Sequence, residues 1–129
     1  MNFAKRVFVI AGIYGLLVLL PQYFLEDKTG RDFPPAITHA EYYYGFLGVA
    51  VAWQLAFFVI SRDPVRYRAI MIAAVIEKAS FGLAMVALYL RGRLSVQMLA
   101  AGVVDLIFVV LFVAAYTRTA PGVSAPARS

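Results

Sequence analysis

Four long runs of apolar residues, separated by short polar segments, form the dominant pattern of this chain. Each run is close to the ~20 residues that an α-helix needs to cross a bilayer. The pattern therefore predicts an all-α fold, a polytopic membrane protein built as an antiparallel four-transmembrane-helix bundle. A single membrane domain is expected over 1–116, with helices at about 4–25, 39–61, 64–91 and 95–117.

Local signals predict where the first two helices begin and end. Lys5 and Arg6 precede the first run as they would in a signal peptide. The run is too long for the apolar region of a signal peptide and lacks a small-residue cleavage site, so we interpret it as a retained helix that Pro21 kinks or ends. Segment 26–37 is polar and is predicted to be a loop. Thr38 and Glu41 then fit a capping box at the start of the second helix.

The third and fourth helices carry their own boundary signals. Asp63 is a good N-cap and Pro64 a good first helical residue, so the third helix is expected to begin there. Gly92 suits the position just after its end, and Ser95 can cap the fourth helix. Residues 118–129 are rich in small and polar residues and are predicted to be a disordered tail.

Composition and charge agree with a membrane protein. The chain is 63% hydrophobic and only 15% charged, whereas a soluble domain is closer to half apolar and a quarter charged. It has no cysteine, which excludes disulfides, thiol catalysis, iron–sulfur clusters and thiolate zinc sites. The net charge of +5 does not indicate nucleic-acid binding, because the basic residues flank the apolar runs instead of forming one stripe.

The basic residues also predict the orientation of the helices. Four spans put both termini on one side, and seven Lys or Arg residues fall on that side against four on the other. Positively charged flanks favour the cytoplasm, so both termini are expected there. The seven residues on the cytoplasmic side are Lys5, Arg6, Arg62, Arg66, Arg68, Arg118 and Arg128.

Two charged residues, Glu77 and Lys78, lie near the middle of the third apolar run. On insertion scales, a charge at the centre of a span costs roughly 2.5–3.5 kcal/mol, so other residues must compensate. Asp105, Gln54 and Tyr14 fall at a similar depth on the other helices, which predicts one polar layer inside an apolar bundle.

Helical geometry assigns partners within this layer. Lys78 points about 100° away from Glu77, so Asp105 across the helix interface is its better partner. Glu77 is then expected to bond to Gln54, Tyr14 or Tyr43, or to keep its proton. Two carboxylates and one ammonium leave a formal charge of −1, which a retained proton, a cation or a ligand would balance.

The polar layer has a structural and a functional interpretation. A Lys78–Asp105 pair can simply fix helix order and rotation. Ionisable residues inside a membrane bundle also mark ligand or proton sites. No cofactor or metal site is expected, and His39 is interpreted as a surface residue. The candidate site residues are Glu77, Lys78, Asp105, Gln54, Tyr43, Tyr14 and Trp53.

Several short stretches of the chain form a recognisable set: segments 41–45, 53–54, 62–67 and 77–82, and Asp105 followed by Phe108. In these stretches the chain resembles a group of small bacterial four-helix membrane proteins without an assigned activity. In size and span count alone, it is also similar to DoxX-like proteins. The resemblance implies the topology and a location in the bacterial cytoplasmic (inner) membrane, but no mechanism.

Three functions fit this sequence. The first is a membrane bundle that binds a hydrophobic small molecule, or an accessory protein that binds a partner's helices. The second is a proton-coupled small transporter acting as an oligomer, with Glu77 or Asp105 exchanging the proton. The third is a membrane-embedded enzyme that modifies a lipid. The third ranks last because the sequence has no supporting nucleophile, metal set or cofactor motif, and the chain is expected not to be an enzyme.

Expected partners are membrane lipid, a hydrophobic small molecule, and further copies or a larger membrane complex.

Overall fold

The computed structural model describes residues 2–122, and over that range it contains helices joined by turns and no strands. The predicted all-α class is confirmed. Four helical segments of 21–23 residues are long and apolar enough to cross a membrane, the first being α1 together with the 3-10 helix that follows it. The elements are α1 (Phe3–Leu19), a 3-10 helix (Leu20–Phe24), α2 (Glu26–Asp32), α3 (Ala40–Arg62), α4 (Ile70–Leu90) and α5 (Val96–Arg118).

Three of the predicted helix ends are confirmed by their local geometry. Helix α1 ends at Leu19 and a 3-10 helix begins at Leu20, just before Pro21, which has no backbone N–H to donate. Gly92 follows α4 with a φ of 71°, and the N–H of Arg93 donates to the carbonyl of Leu88 at 2.9 Å, as in a Schellman motif. The hydroxyl of Ser95 accepts from the N–H of Met98 at 3.3 Å and caps α5.

The prediction that segment 26–37 is a loop was wrong, because its first seven residues form α2. The charges favour the helix: Glu26 and Asp27 lie in its first turn, where the helix dipole stabilises acids, and Arg31 lies in its last turn. Lys28 and Asp32, four residues apart, add an ion pair along its surface.

Two predicted helix caps were also wrong, although α3 begins at Ala40, within one residue of the prediction. His39, not Thr38, is the N-cap of α3, and no side chain caps it; Glu41 instead lies 3.3 Å from Nδ1 of His39. Asp63 does accept from the N–H of Arg66 at 3.2 Å, but the residues after it form successive tight turns, and α4 begins only at Ile70.

The turns before α4 fix this segment against α5. They place Arg68 so that its Nε donates to the carbonyl of Tyr116 at 2.9 Å and its guanidinium lies 3.5 Å from the centre of the Tyr116 ring. The prediction of a disordered tail was wrong for its first residues, because Arg118 belongs to α5 and Thr119 is buried, its hydroxyl donating to the carbonyl of Ala115 at 2.9 Å. Residues 123–129 lie outside the described part of the chain.

The long helices pack in the order α3, α1, α5 and α4, and α3 meets α4 only sparsely. Aromatic residues fill the core nearest the N-terminus: the Phe8 and Phe112 rings stack at 4.4 Å, and Phe57 meets Phe112 edge-on at 5.1 Å. A smaller core of Leu19, Leu47 and Ala50 lies towards α2. The polar layer lies between these two cores.

Glycines let α4 and α5 approach closely. A Cβ built on Gly82 would lie 2.6 Å from the Leu106 side chain and 2.9 Å from the carbonyl oxygen of Gly102. A Cβ on Gly102 would lie 2.5 Å from that of Met85. Small residues at such crossings bring two backbones into contact, and here they set the distance across which Lys78 meets α5.

Candidate functional site

A cavity of about 560 Å³ lies among the four long helices, with the pair α1–α3 on one side and the pair α4–α5 on the other. It extends from α2 to the polar layer, and its walls are mostly apolar. Its principal lining residues are Tyr14, Val18, Leu19, Gln22, Leu25, Lys28, Asp32, Tyr43, Phe46, Ala50, Gln54, Glu77, Lys78, Phe81, Met98, Ala101 and Asp105.

The predicted buried ion pair is confirmed. The Nζ of Lys78 lies 3.3 Å from Oδ1 of Asp105, and the two side chains are only 4% and 13% exposed. The rings of Phe57 and Phe108 flank the ammonium, with centroids 5.5 and 5.4 Å from Nζ. The positive charge is thus held between a carboxylate and two aromatic faces.

Glu77 does not make the predicted bonds to Gln54, Tyr14 or Tyr43. Its Oε2 is buried and has no hydrogen-bond partner among residues 2–122. Tyr43 donates instead to the carbonyl of Gln22 at 2.6 Å, and the Tyr14 ring lies 5.6 Å from that of Phe108. The alternative that Glu77 keeps its proton stays a prediction.

Within residues 2–122, only the amide nitrogen of the Gln54 side chain has a hydrogen-bond partner. Its side chain is buried against Gly15 of α1, and Nε2 donates to the carbonyl of Ala50 at 2.8 Å, one turn back on its own helix. The Oε1 atom is buried and, within the described residues, has no donor. The polar layer therefore holds two buried acceptors that this part of the chain leaves unbonded.

Trp53 lies apart from the other candidate residues. Six of the seven line the large cavity, whereas Trp53 lines a second cavity of about 310 Å³ together with residues of α3 and α4. The two cavities share Phe46, Ala50, Glu77 and Phe81. Glu77 is therefore the one candidate residue that borders both.

The lining residues of α2 were missed by sequence reasoning. Lys28, Thr29 and Asp32 border the large cavity at the end remote from the N-terminus. The sequence feature that indicated them was the i,i+4 spacing of Lys28 and Asp32, which brings the two side chains together on a helix. Interpreting the whole polar segment as a loop removed these residues from consideration.

No group of three or more His, Cys, Asp or Glu side chains within residues 2–122 is arranged to hold a metal ion. His39 and Glu41 form an exposed pair at the start of α3, outside the cavity. The chemistry available at the site is therefore that of hydrogen-bond acceptors, one ion pair and an apolar wall.

Comparison with known proteins finds no family model, curated protein or solved structure that matches the chain. The resemblance to small bacterial four-helix membrane proteins therefore stays a prediction from sequence.

Proposed function

We propose that this chain is an integral protein of the bacterial cytoplasmic membrane that binds a hydrophobic small molecule in the cavity among its long helices. Large apolar side chains on the outside of the long helices support insertion, because they would otherwise face water; Leu17, Leu83 and Val110 are 60–72% exposed. Contacts that pair Gly12 with Phe58 and Gln22 with Tyr43 support an antiparallel arrangement.

The charges at the two ends of the bundle support an orientation with both termini in the cytoplasm. Arg68 and Arg118 lie at the end that holds the N-terminus, where Arg118 covers the ring of Phe3 at 4.2 Å. The acidic residues Glu26, Asp27 and Asp32 lie at the opposite end, on α2. By the positive-inside rule, α2 and its end of the cavity then face away from the cytoplasm.

One observation carries the proposal of ligand binding: a mostly apolar cavity reaches from α2 to a polar layer with unbonded acceptors. Its volume of about 560 Å³ lies within the range of small-molecule sites, which are typically apolar with a few convergent polar groups. A purely structural polar layer would need Lys78 and Asp105 but not the adjoining space.

The orientation can be tested directly because the chain contains no cysteine. Arg31→Cys on α2 is expected to react with a membrane-impermeant maleimide in spheroplasts, which lack the outer membrane but keep a closed cytoplasmic membrane. Arg62→Cys, at the end of α3, is expected to react only after the cytoplasmic membrane is permeabilised. Labelling in the reverse order would contradict the proposed orientation.

Binding can be tested by filling the cavity. Ala101 lines it, whereas the neighbouring Ala100 is exposed and does not. In lipid nanodiscs, isothermal titration calorimetry is expected to show saturable binding of 12-bromododecanol. Ala101→Phe should weaken saturable binding by about tenfold or more because the added ring occupies the site.

Ala100→Phe is the matched control, since it adds the same ring on the outer surface and should leave binding unchanged. Partitioning of the probe into lipid gives a heat signal that does not saturate, is also seen with empty nanodiscs and is common to all variants. If wild type shows only that non-saturable component, the proposed function is wrong.

A further inference from the structure

Two buried acceptors border the same cavity without a donor. They are Oε2 of Glu77 and Oε1 of Gln54, and neither has a hydrogen-bond partner in the part of the chain that the structure describes. Gln54 is only 1% exposed, so its oxygen is remote from bulk solvent. Buried polar atoms are nearly always bonded, and unbonded ones indicate a place where another molecule supplies the partner.

Several neighbouring donors are already used elsewhere. Lys78 faces Asp105 at 3.3 Å between two aromatic rings, and the hydroxyl of Tyr43 donates to the backbone of Gln22. Ser80 lies one turn from Glu77, but its hydroxyl donates to the Glu77 backbone carbonyl at 2.9 Å and not to the carboxylate. Tyr14 and Lys78 keep further N–H or O–H groups at the cavity, but within the described residues the two buried side-chain atoms without any partner are both acceptors. These two atoms favour a ligand that donates.

The charge of the layer favours a cation. With their side chains ionised, Glu77 and Asp105 carry two negative charges against the single positive charge of Lys78. A net charge of −1 in an apolar, poorly hydrated layer attracts a positive group and repels a negative one. An anionic ligand would also find the Lys78 ammonium enclosed, at 4% exposure.

We propose that the ligand is an amphiphilic amine whose protonated head donates to Glu77 Oε2 and Gln54 Oε1 and whose apolar tail fills the rest of the cavity. This inference rests on the proposed function and specifies the ligand of the same site. A primary ammonium has three N–H donors, which is enough to serve both acceptors at once. Hydrogen bonds to a carboxylate are also stronger when the donor is charged. Val18, Leu19 and Phe81 supply apolar wall for the tail.

The test compares three probes with the same brominated tail and different heads. They are 12-bromododecylamine, 12-bromododecanol and 12-bromododecyl sulfate, each titrated into the full chain in phosphatidylcholine nanodiscs while the heat of binding is recorded. In wild type the amine should bind about tenfold tighter than the alcohol, and the sulfate should bind most weakly. Equal binding of the amine and the alcohol, or tightest binding of the sulfate, would overturn the inference.

Glu77→Gln tests whether Glu77 causes the preference for the amine over the alcohol. The substitution keeps the shape of the side chain and an acceptor oxygen but removes the charge. The amine-to-alcohol ratio should fall to about one while the alcohol still binds. Glu41→Gln is the control, since Glu41 is exposed outside the cavity, and it should keep the wild-type ratio. A ratio unchanged by Glu77→Gln would contradict the assignment.

The outcomes separate the two proposals. Saturable and equal binding of the amine and the alcohol leaves the proposed function standing and rejects the amine head. Absence of saturable binding of all three probes rejects both. The wild-type comparison alone decides the ligand class, so the inference stays falsifiable even if Glu77→Gln fails to fold.

Discussion

Replacing Lys78 with methionine should lower the free energy of unfolding by roughly 3–5 kcal/mol, because Asp105 would remain as a buried charge without a partner. The Asp105 side chain is only 13% exposed, and the Lys78 ammonium 3.3 Å away is the partner that compensates its burial. Methionine keeps most of the length of the side chain, so the loss comes mainly from the charge. Reversible unfolding in mixed micelles, followed by circular dichroism, measures the difference.

Removing both charges should be milder than removing one. In Lys78→Met with Asp105→Leu, apolar side chains replace the whole pair and no buried charge is left, so much of the lost stability should return. Lys28→Met is a further control, because its ion pair with Asp32 is about half exposed and such pairs contribute at most about 1 kcal/mol. Equal destabilisation by the single and double variants at the buried pair would show that Lys78 and Asp105 are not energetically coupled.

Gly82→Val is expected to be the second large destabilisation, by about 1–3 kcal/mol or more, because α4 and α5 must move apart to admit the side chain. A Cβ at this position would lie 2.9 Å from the carbonyl oxygen of Gly102, which is backbone and cannot rotate away. The same unfolding experiment measures the change. Separation of the two helices should also weaken the Lys78–Asp105 contact a turn away.

Gly45→Val provides the matched comparison. A Cβ on Gly45 would meet no heavy atom within 4 Å, so the substitution should change the unfolding free energy by less than about 1 kcal/mol. If Gly45→Val and Gly82→Val destabilise the chain equally, then helix propensity, and not close packing of α4 on α5, determines the effect.

The sequence was most informative where one physical requirement has few solutions. Apolar runs predicted the four long helices, and Gly92 predicted the end of α4 because few other residues adopt a positive φ. The pairing of Lys78 with Asp105 followed from their shared depth and from the cost of an unpaired buried charge. These inferences required no knowledge of side-chain rotamers.

The remaining parts of the site depend on choices that the sequence leaves open. Gln54 can direct its amide across the bundle or back along α3, and the structure shows the second, with Nε2 bonded to Ala50. The orientation of Glu77 and the space beside it depend on how closely the helices approach. The seven residues of α2 are too few for an apolar repeat, so their charges indicated a loop although they stabilise a helix.

The sparse contact between α3 and α4 has a consequence for how molecules exchange with the site. The other helices are joined in an unbroken series, α3 to α1, α1 to α5 and α5 to α4, so the bundle resembles a ring with one weak seam. Separating α3 from α4 would cost less packing than separating any other two neighbouring long helices. The stacked rings of Phe46 and Phe81, 6.1 Å apart, lie across this contact beside Glu77. If the helices span a membrane as proposed, a molecule dissolved in the lipid would reach the carboxylate with the least loss of packing between α3 and α4, without crossing α2.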